Sequence, residues 1–96
     1  MTKKLEKIQL IILPILKKHK VKKASIFGSF ARGENKKNSD IDILIELQEG
    51  ATFFNLIDLE SELEKKTKRK IDLITFNSIN PLLKKIILKD EIKIYG

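Results

Sequence analysis

Two short segments of this 96-residue chain carry residues that could do chemistry together. The first is an apolar run that ends in Gly28 and Ser29, and the second begins with Asp40 and Asp42, with ten residues between Ser29 and Asp40. In a strand, residues two apart share a face with Cα atoms roughly 6.6 Å apart, so these two carboxylates would lie side by side. Neighbouring carboxylates repel each other. Mg²⁺, which binds one or two carboxylates together with waters and substrate phosphates, would relieve that repulsion.

Gly28 and Ser29 predict a phosphate-binding site beside these carboxylates. Glycine allows a ligand to approach the backbone closely, and serine can begin a helical turn whose free N–H groups favour an anion. Arg32 lies one helical turn beyond Ser29, where it could contact phosphate oxygens or brace a carboxylate. Phosphate beside a metal ion held by aspartates is the arrangement of a phosphoryl- or nucleotidyl-transfer site.

A third acid, Asp72, interrupts the apolar run from Ile71 to Ile74, which predicts another strand. Burying a carboxylate without a partner is unfavourable. Asp72 therefore either lies at a water-exposed edge or faces the first two acids. If its strand pairs beside the strand that begins at Asp40, the three carboxylates can form one site.

The pattern Gly-Ser, ten residues, Asp-x-Asp resembles the polymerase-beta-like nucleotidyltransferases. Its compact form here is Phe-Gly-Ser-Phe-Ala-Arg-Gly-Glu followed by Ser-Asp-Ile-Asp. This form is similar to the minimal nucleotidyltransferases, the MntA-type antitoxins that partner HEPN toxins. The resemblance extends over nearly the whole chain and includes the third aspartate. The length of the chain is also similar to that of the family.

The resemblance implies a Mg²⁺-dependent protein adenylyltransferase with ATP as its substrate. Asp40, Asp42 and Asp72 would be the catalytic and metal-binding residues for two ions, with Asp72 the candidate general base. Gly28, Ser29 and Arg32 would bind the nucleotide. AMP would pass to a hydroxyl, expected to be a tyrosine, of a HEPN-type toxin, with which the chain could form a hetero-oligomer. The alternative is an antitoxin that neutralises its partner by stoichiometric binding without catalysis.

Composition narrows the possible classes of function. The length predicts one domain over residues 1–96, and 42% hydrophobic residues suffice for one modest core. No apolar run is long enough to span a bilayer, so we expect a cytoplasmic protein without a membrane partner. The net charge of +7 could attract nucleic acid. A nucleic-acid role is disfavoured, however, because the lysines are scattered and no aromatic residues interleave with them.

The periodicity predicts helices alternating with strands, typical of an α/β (α+β) domain with a small mixed sheet of three or four strands and helices packed against it. The resemblance implies that this is the polymerase-beta-like nucleotidyltransferase fold. The predicted elements are a helix over 3–20 that Pro14 should kink or restart, strands over 21–27 and 40–47, a helix over 53–66 that Thr52 caps, a strand over 71–74, a helix from Asn80-Pro81, and a strand over 92–95.

Three further features of the sequence bear on its surface and its contacts. His19 is interpreted as a surface residue, because no second candidate ligand lies near it. The basic run Lys65–Lys70 fits either a helix C-terminus or a patch for nucleic acid or an acidic partner. The apolar stripe of the helix over 53–66 includes Phe53 and Ile57, and the pair Phe53-Phe54 indicates core or partner contacts rather than base stacking.

Overall fold

Strands and helices alternate along the chain, as the periodicity predicts. The structure is a computed structural model that describes residues 3–28, 40–89 and 91–96. Its elements are α1 (Lys3–Lys18), β1 (Lys23–Phe27), β2 (Ile41–Glu46), α2 (Phe53–Thr67), β3 (Ile71–Thr75), a 3₁₀ turn (Phe76–Ser78), α3 (Pro81–Lys89) and β4 (Ile92–Tyr95). Within these residues, no helix combines the length and apolar character that crossing a bilayer requires.

The four strands form one mixed sheet in the order β3-β2-β1-β4. Strand β1 pairs antiparallel with β2 on one side and with β4 on the other. Strands β2 and β3 are parallel, and α2 is the crossover between them. The predicted fold class, a small mixed sheet with helices packed against it, is confirmed. The strand order could not be predicted from the sequence.

One face of the sheet and two helices enclose the apolar core. Ile41, Ile43 and Ile45 of β2 are fully buried in this core, which confirms that alternate residues of the strand point inward. Apolar residues of α1 are buried against them: Leu5, Ile8, Ile12, Ile15 and Leu16. Pro14 does not restart this helix, because α1 continues without a break from Lys3 to Lys18.

Helix α2 begins and ends as its sequence predicts, but its buried stripe is narrower. The backbone N–H of Thr52 donates to Asn55 Oδ1 at 2.7 Å, and Lys68 closes the helix in the left-handed conformation. Leu59 and Leu63 are fully buried. Phe53 and Ile57, predicted in the same stripe, are 70% and 47% exposed. Phe53 lies about 120° around the helix from Leu59, and Ile57 lies about 120° from Leu63. When the two leucines face the core, Phe53 and Ile57 therefore face away from it.

Glu62 joins the C-terminal end of α1 to α2. Its carboxylate accepts a hydrogen bond from Lys18 Nζ at 3.2 Å and contacts His19 Nε2 at 2.9 Å. His19, interpreted as a surface residue, is half-buried: its side chain is 20% exposed and contacts this carboxylate. The hydrogen bond with His19, followed by that with Lys18, lowers the pKa of Glu62 below its ordinary value of 4.5.

Replacing Glu62 with Gln should make the stability of the chain less dependent on acid pH. Because the pKa of Glu62 is lower in the folded chain than in the unfolded chain, its stabilising contribution is complete above about pH 4.5. This contribution is lost as the pH falls through the folded pKa. Free energies of unfolding in urea, measured between about pH 6 and pH 3, should therefore converge for E62Q and wild type at the acid end.

Asp58→Asn is the matched control, because Asp58 is an exposed acid one turn earlier on the same helix. This variant should keep the wild-type dependence of stability on pH. A constant difference between E62Q and wild type across the whole range would contradict the assigned role of Glu62.

Candidate active site

Strands β2 and β3 bring two of the predicted acids together. Asp42 pairs with Asp72 in parallel register, one step after Ile41 pairs with Ile71. Paired residues on neighbouring strands point to the same face, and the strands lie about 4.8 Å apart. Because Ile41 and Ile71 are buried in the core, Asp42 and Asp72 share the opposite face, where both are half-buried. The condition stated for Asp72, that its strand pairs beside the Asp40 strand, is met.

Asp40 immediately precedes β2 and is exposed. It lies two residues before Asp42, so an extended backbone directs both side chains to the same face. Among the residues that the structure describes, no three His, Cys, Asp or Glu side chains converge closely enough to hold a metal ion by themselves. The pair of Asp42 and Asp72 has donors suited to Mg²⁺, which needs only one or two carboxylates. Coordination by all three acids stays a prediction.

Gly28 lies against Asp42 at the end of β1. Phe27 pairs with Asp42 in antiparallel register, and Gly28 follows with a φ of +75°. A Cβ atom on Gly28 would lie 2.5 Å from Asp42 Oδ2, which is far inside van der Waals contact. Both the backbone conformation and the nearby carboxylate therefore require glycine here. Ser29 and Arg32, the other predicted nucleotide-binding residues, lie outside the described residues, so their phosphate contacts stay predictions.

The end of the basic run lies beside the acids. Helix α2 ends at Thr67 with Lys65 and Lys66 in its last turn, as the helix C-terminus interpretation predicts. The chain then turns, and the carbonyl oxygen of Lys70 accepts a hydrogen bond from the N–H of Ile41 at 2.9 Å. Lys70 is thus the cross-strand neighbour of Asp40, a position that the sequence interpretation missed. The sequence did contain a signal for this position. Lys70 lies two residues before Asp72, so an extended backbone places both side chains on the same face.

A comparison of the sequence with known protein families identifies the family of this chain. Residues 6–96 match the family described as Polymerase beta, Nucleotidyltransferase. The chain belongs to this family. It is 52% identical over 83 residues to MJ0435 of Methanocaldococcus jannaschii, named a putative protein adenylyltransferase, covering 86% of this chain and 89% of the relative. It is 33% identical over 72 residues to Protein adenylyltransferase MntA of Thermococcus cleftensis, covering 75% of this chain and 73% of the relative.

Solved structures share the fold of this nucleotidyltransferase. A minimal nucleotidyltransferase superposes with a TM-score of 0.81 at 28% identity, covering 93% of this chain and 91% of the other. The complex of a tri-AMPylated Shewanella oneidensis HEPN toxin with its MNT antitoxin superposes with a TM-score of 0.74, covering 95% and 71%. At 18% identity the second likeness concerns the fold alone. The polymerase-beta-like fold that the sequence resemblance implies is confirmed.

Replacing Gly28 with alanine should disturb the site more than the same change at Gly50. Both glycines have a positive φ, but nothing lies within 4 Å of a Cβ on Gly50, whereas a Cβ on Gly28 meets Asp42. Each substitution should cost about 1–2 kcal/mol of backbone strain. G28A should cost more, because Asp42 must also move. Urea unfolding measures both variants, and equal losses would contradict the close approach of Gly28 to Asp42.

Proposed function

We propose that this chain is a protein adenylyltransferase that moves AMP from ATP to a tyrosine hydroxyl of a HEPN-type toxin, and thereby acts as the antitoxin of a toxin–antitoxin pair. The observation that carries the proposal is the in-register pair of Asp42 and Asp72 beside Gly28. The names of the relatives support the reaction. The AMP-bearing HEPN toxin in the Shewanella oneidensis complex supports this class of acceptor.

Each predicted site residue has a role in this proposal. Asp40, Asp42 and Asp72 would hold Mg²⁺, with two ions expected. Gly28, Ser29 and Arg32 would bind the triphosphate. When bound, the metal neutralises the charge that develops on the phosphates during an in-line displacement. Gly28 contributes an open backbone, since a side chain at this position would occupy the space next to Asp42 Oδ2.

The reaction exchanges one phosphorus–oxygen bond for another. The acceptor hydroxyl oxygen attacks the α-phosphorus of ATP, and the bond from that phosphorus to the oxygen bridging to the β-phosphate breaks. Pyrophosphate leaves, and AMP stays on the acceptor. Asp72 accepts the hydroxyl proton, because β3 holds its carboxylate next to Asp42 on the same face. AMP on a tyrosine adds bulk and negative charge, which can block a nuclease site.

A protein acceptor suits the surface of this chain. Phe53 and Phe54 are 70% and 76% exposed on α2, and exposed apolar clusters mark sites of protein interaction. The sequence allowed these two phenylalanines either core contacts or partner contacts. Because both are exposed, partner contacts are the alternative that is left. ATP and an RNase toxin occur together in the cytoplasm, and we propose that compartment for this chain.

The same exposed residues favour a second candidate function. An antitoxin that binds its partner through an apolar surface can neutralise it by occlusion, with Asp42 and Asp72 taking no part. Under that alternative, neutralisation would depend on affinity and stoichiometry but not on ATP. The two functions therefore predict different results for a variant that loses one carboxylate and keeps the apolar surface.

Asp42→Asn should abolish transfer of AMP. The assay incubates the chain with Mg²⁺, ATP labelled on the α-phosphate, and a HEPN-type protein, and then follows label on that protein. Loss of a carboxylate that stabilises the transition state should lower the rate by at least about a hundredfold. Glu46→Gln is the matched control, because Glu46 lies on the same face of the same strand, four residues further on. It should transfer at about the wild-type rate.

Two results would contradict the proposal. Wild-type rates of labelling by D42N would exclude Asp42 from the reaction. Neutralisation of the toxin by both wild type and D42N, with no label on either sample, would support occlusion instead.

A further inference from the structure

The acidic residues of this basic chain are concentrated in one stretch. Residues 38–64 contain eight of its 13 Asp and Glu residues and none of its 20 Lys and Arg residues. The stretch includes β2, the turn after it and most of α2. The net charge of +7 therefore describes the rest of the chain and not this part of its surface.

The same stretch exposes an apolar surface, which we call the α2 patch: Phe53, Phe54 and Ile57. These side chains are 70%, 76% and 47% exposed. Beside Phe53, a groove of about 450 Å³ is lined mainly by apolar side chains, including Leu47, Leu56 and Leu73. Adjacent exposed aromatic residues over an apolar groove are typical of the centre of a protein interface.

Two carboxylates border the α2 patch. Asp58 lies four residues after Phe54, and Glu60 lies three residues after Ile57, so each is a neighbour of the patch on the helix surface. Neither side chain forms a hydrogen bond or an ion pair with any described residue, in contrast to three other acids of the stretch. Those three contact other parts of the chain: Glu46 contacts Lys23, Glu62 contacts Lys18 and His19, and Glu64 accepts a hydrogen bond from the backbone N–H of Ile71.

The α2 patch is separate from the carboxylates of the candidate active site. Leu73, which lines the groove, packs against the core, whereas its neighbour Asp72 and the paired Asp42 point to the opposite face of the sheet. Contacts at the patch can therefore hold a partner without occupying the position of the reacting phosphate.

We infer that the α2 patch is the docking surface for the acceptor protein, and that the matching surface of that protein presents apolar side chains flanked by Lys or Arg. The identity of the acceptor rests on the proposed function. The chemistry of the match rests on the patch itself, because apolar side chains fill the groove and cations pair with Asp58 and Glu60. The same carboxylates repel nucleic acid and anionic lipid, which disfavours both as occupants of this surface.

Two substitutions test the two parts of this surface. Phe54→Ser removes the more exposed of the two aromatic rings of the patch and should weaken binding of the HEPN-type protein by on the order of tenfold or more. Asp58→Lys reverses a bordering charge and should slow association while reducing its dependence on salt. Surface plasmon resonance at two salt concentrations measures both effects, and thermal unfolding establishes that each variant folds.

Matched controls come from α1, on the basic part of the chain. Leu10→Ser removes an apolar side chain that is 72% exposed, and Glu6→Lys reverses an exposed charge. Both variants should bind the HEPN-type protein with wild-type rates. If they weaken binding as much as F54S and D58K do, or if F54S binds as wild type does, the docking inference is overturned.

The experiment also separates this inference from the proposed function. D42N should bind the HEPN-type protein normally, because its α2 patch is intact. If wild type binds through Phe54 but transfers no label, the docking surface stands and the adenylyltransferase function fails. If label is transferred and F54S binds normally, the adenylyltransferase function stands and the docking surface fails. Failure of wild type to bind, or an oligomer of this chain alone that F54S dissociates in sedimentation velocity, overturns the docking inference.

Discussion

The parallel register of β2 and β3 is the constraint on which the candidate site depends. Side chains alternate between the two faces of a strand, so a slip of one residue would turn an aspartate into the core and an isoleucine out of it. Ile41, Ile43 and Ile71 oppose that slip, because burying each such side chain contributes about 1.5–3 kcal/mol. The apolar core thus aligns Asp42 with Asp72, although these carboxylates would repel each other without a cation.

The two faces of the sheet carry different side chains. The face covered by α1 and α2 carries the isoleucines of β2, and the opposite face carries Asp42 and Asp72 together with Leu44, which is also fully buried. Gly28 lies beside Asp42, where a Cβ atom would meet the carboxylate.

The overall charge of the chain is a poor guide to its partners. The value of +7 suggests attraction to nucleic acid, yet the stretch that contains Asp40, Asp42 and the α2 patch has no lysine or arginine. Long-range charge promotes encounters, whereas the local surface determines which contacts last. A basic chain can therefore present an acidic surface with an apolar centre to a protein partner.

The sequence by itself determined the features that depend on near neighbours. Periodicity located α1, α2 and the strands to within a few residues, and the Gly-Ser and Asp-x-Asp pattern indicated the family. Because an alternating strand must place Asp42 opposite Ile41 and Ile43, the acidic face was also predictable. The assignment of Gly28, Ser29, Arg32 and the three aspartates to binding and catalysis goes beyond these patterns and stays a prediction.

Only the tertiary structure decided which distant segments meet. The order β3-β2-β1-β4, the contact of His19 with Glu62 across 43 residues, and the position of Lys70 beside Asp40 depend on pairings that local periodicity does not encode. Likewise, the exposure of Phe53 and Phe54 follows from how α2 is rotated against the sheet, which Leu59 and Leu63 determine by packing into the core. Burial is a property of the assembled surfaces, and an apolar residue in a helical stripe is buried only where another element covers it.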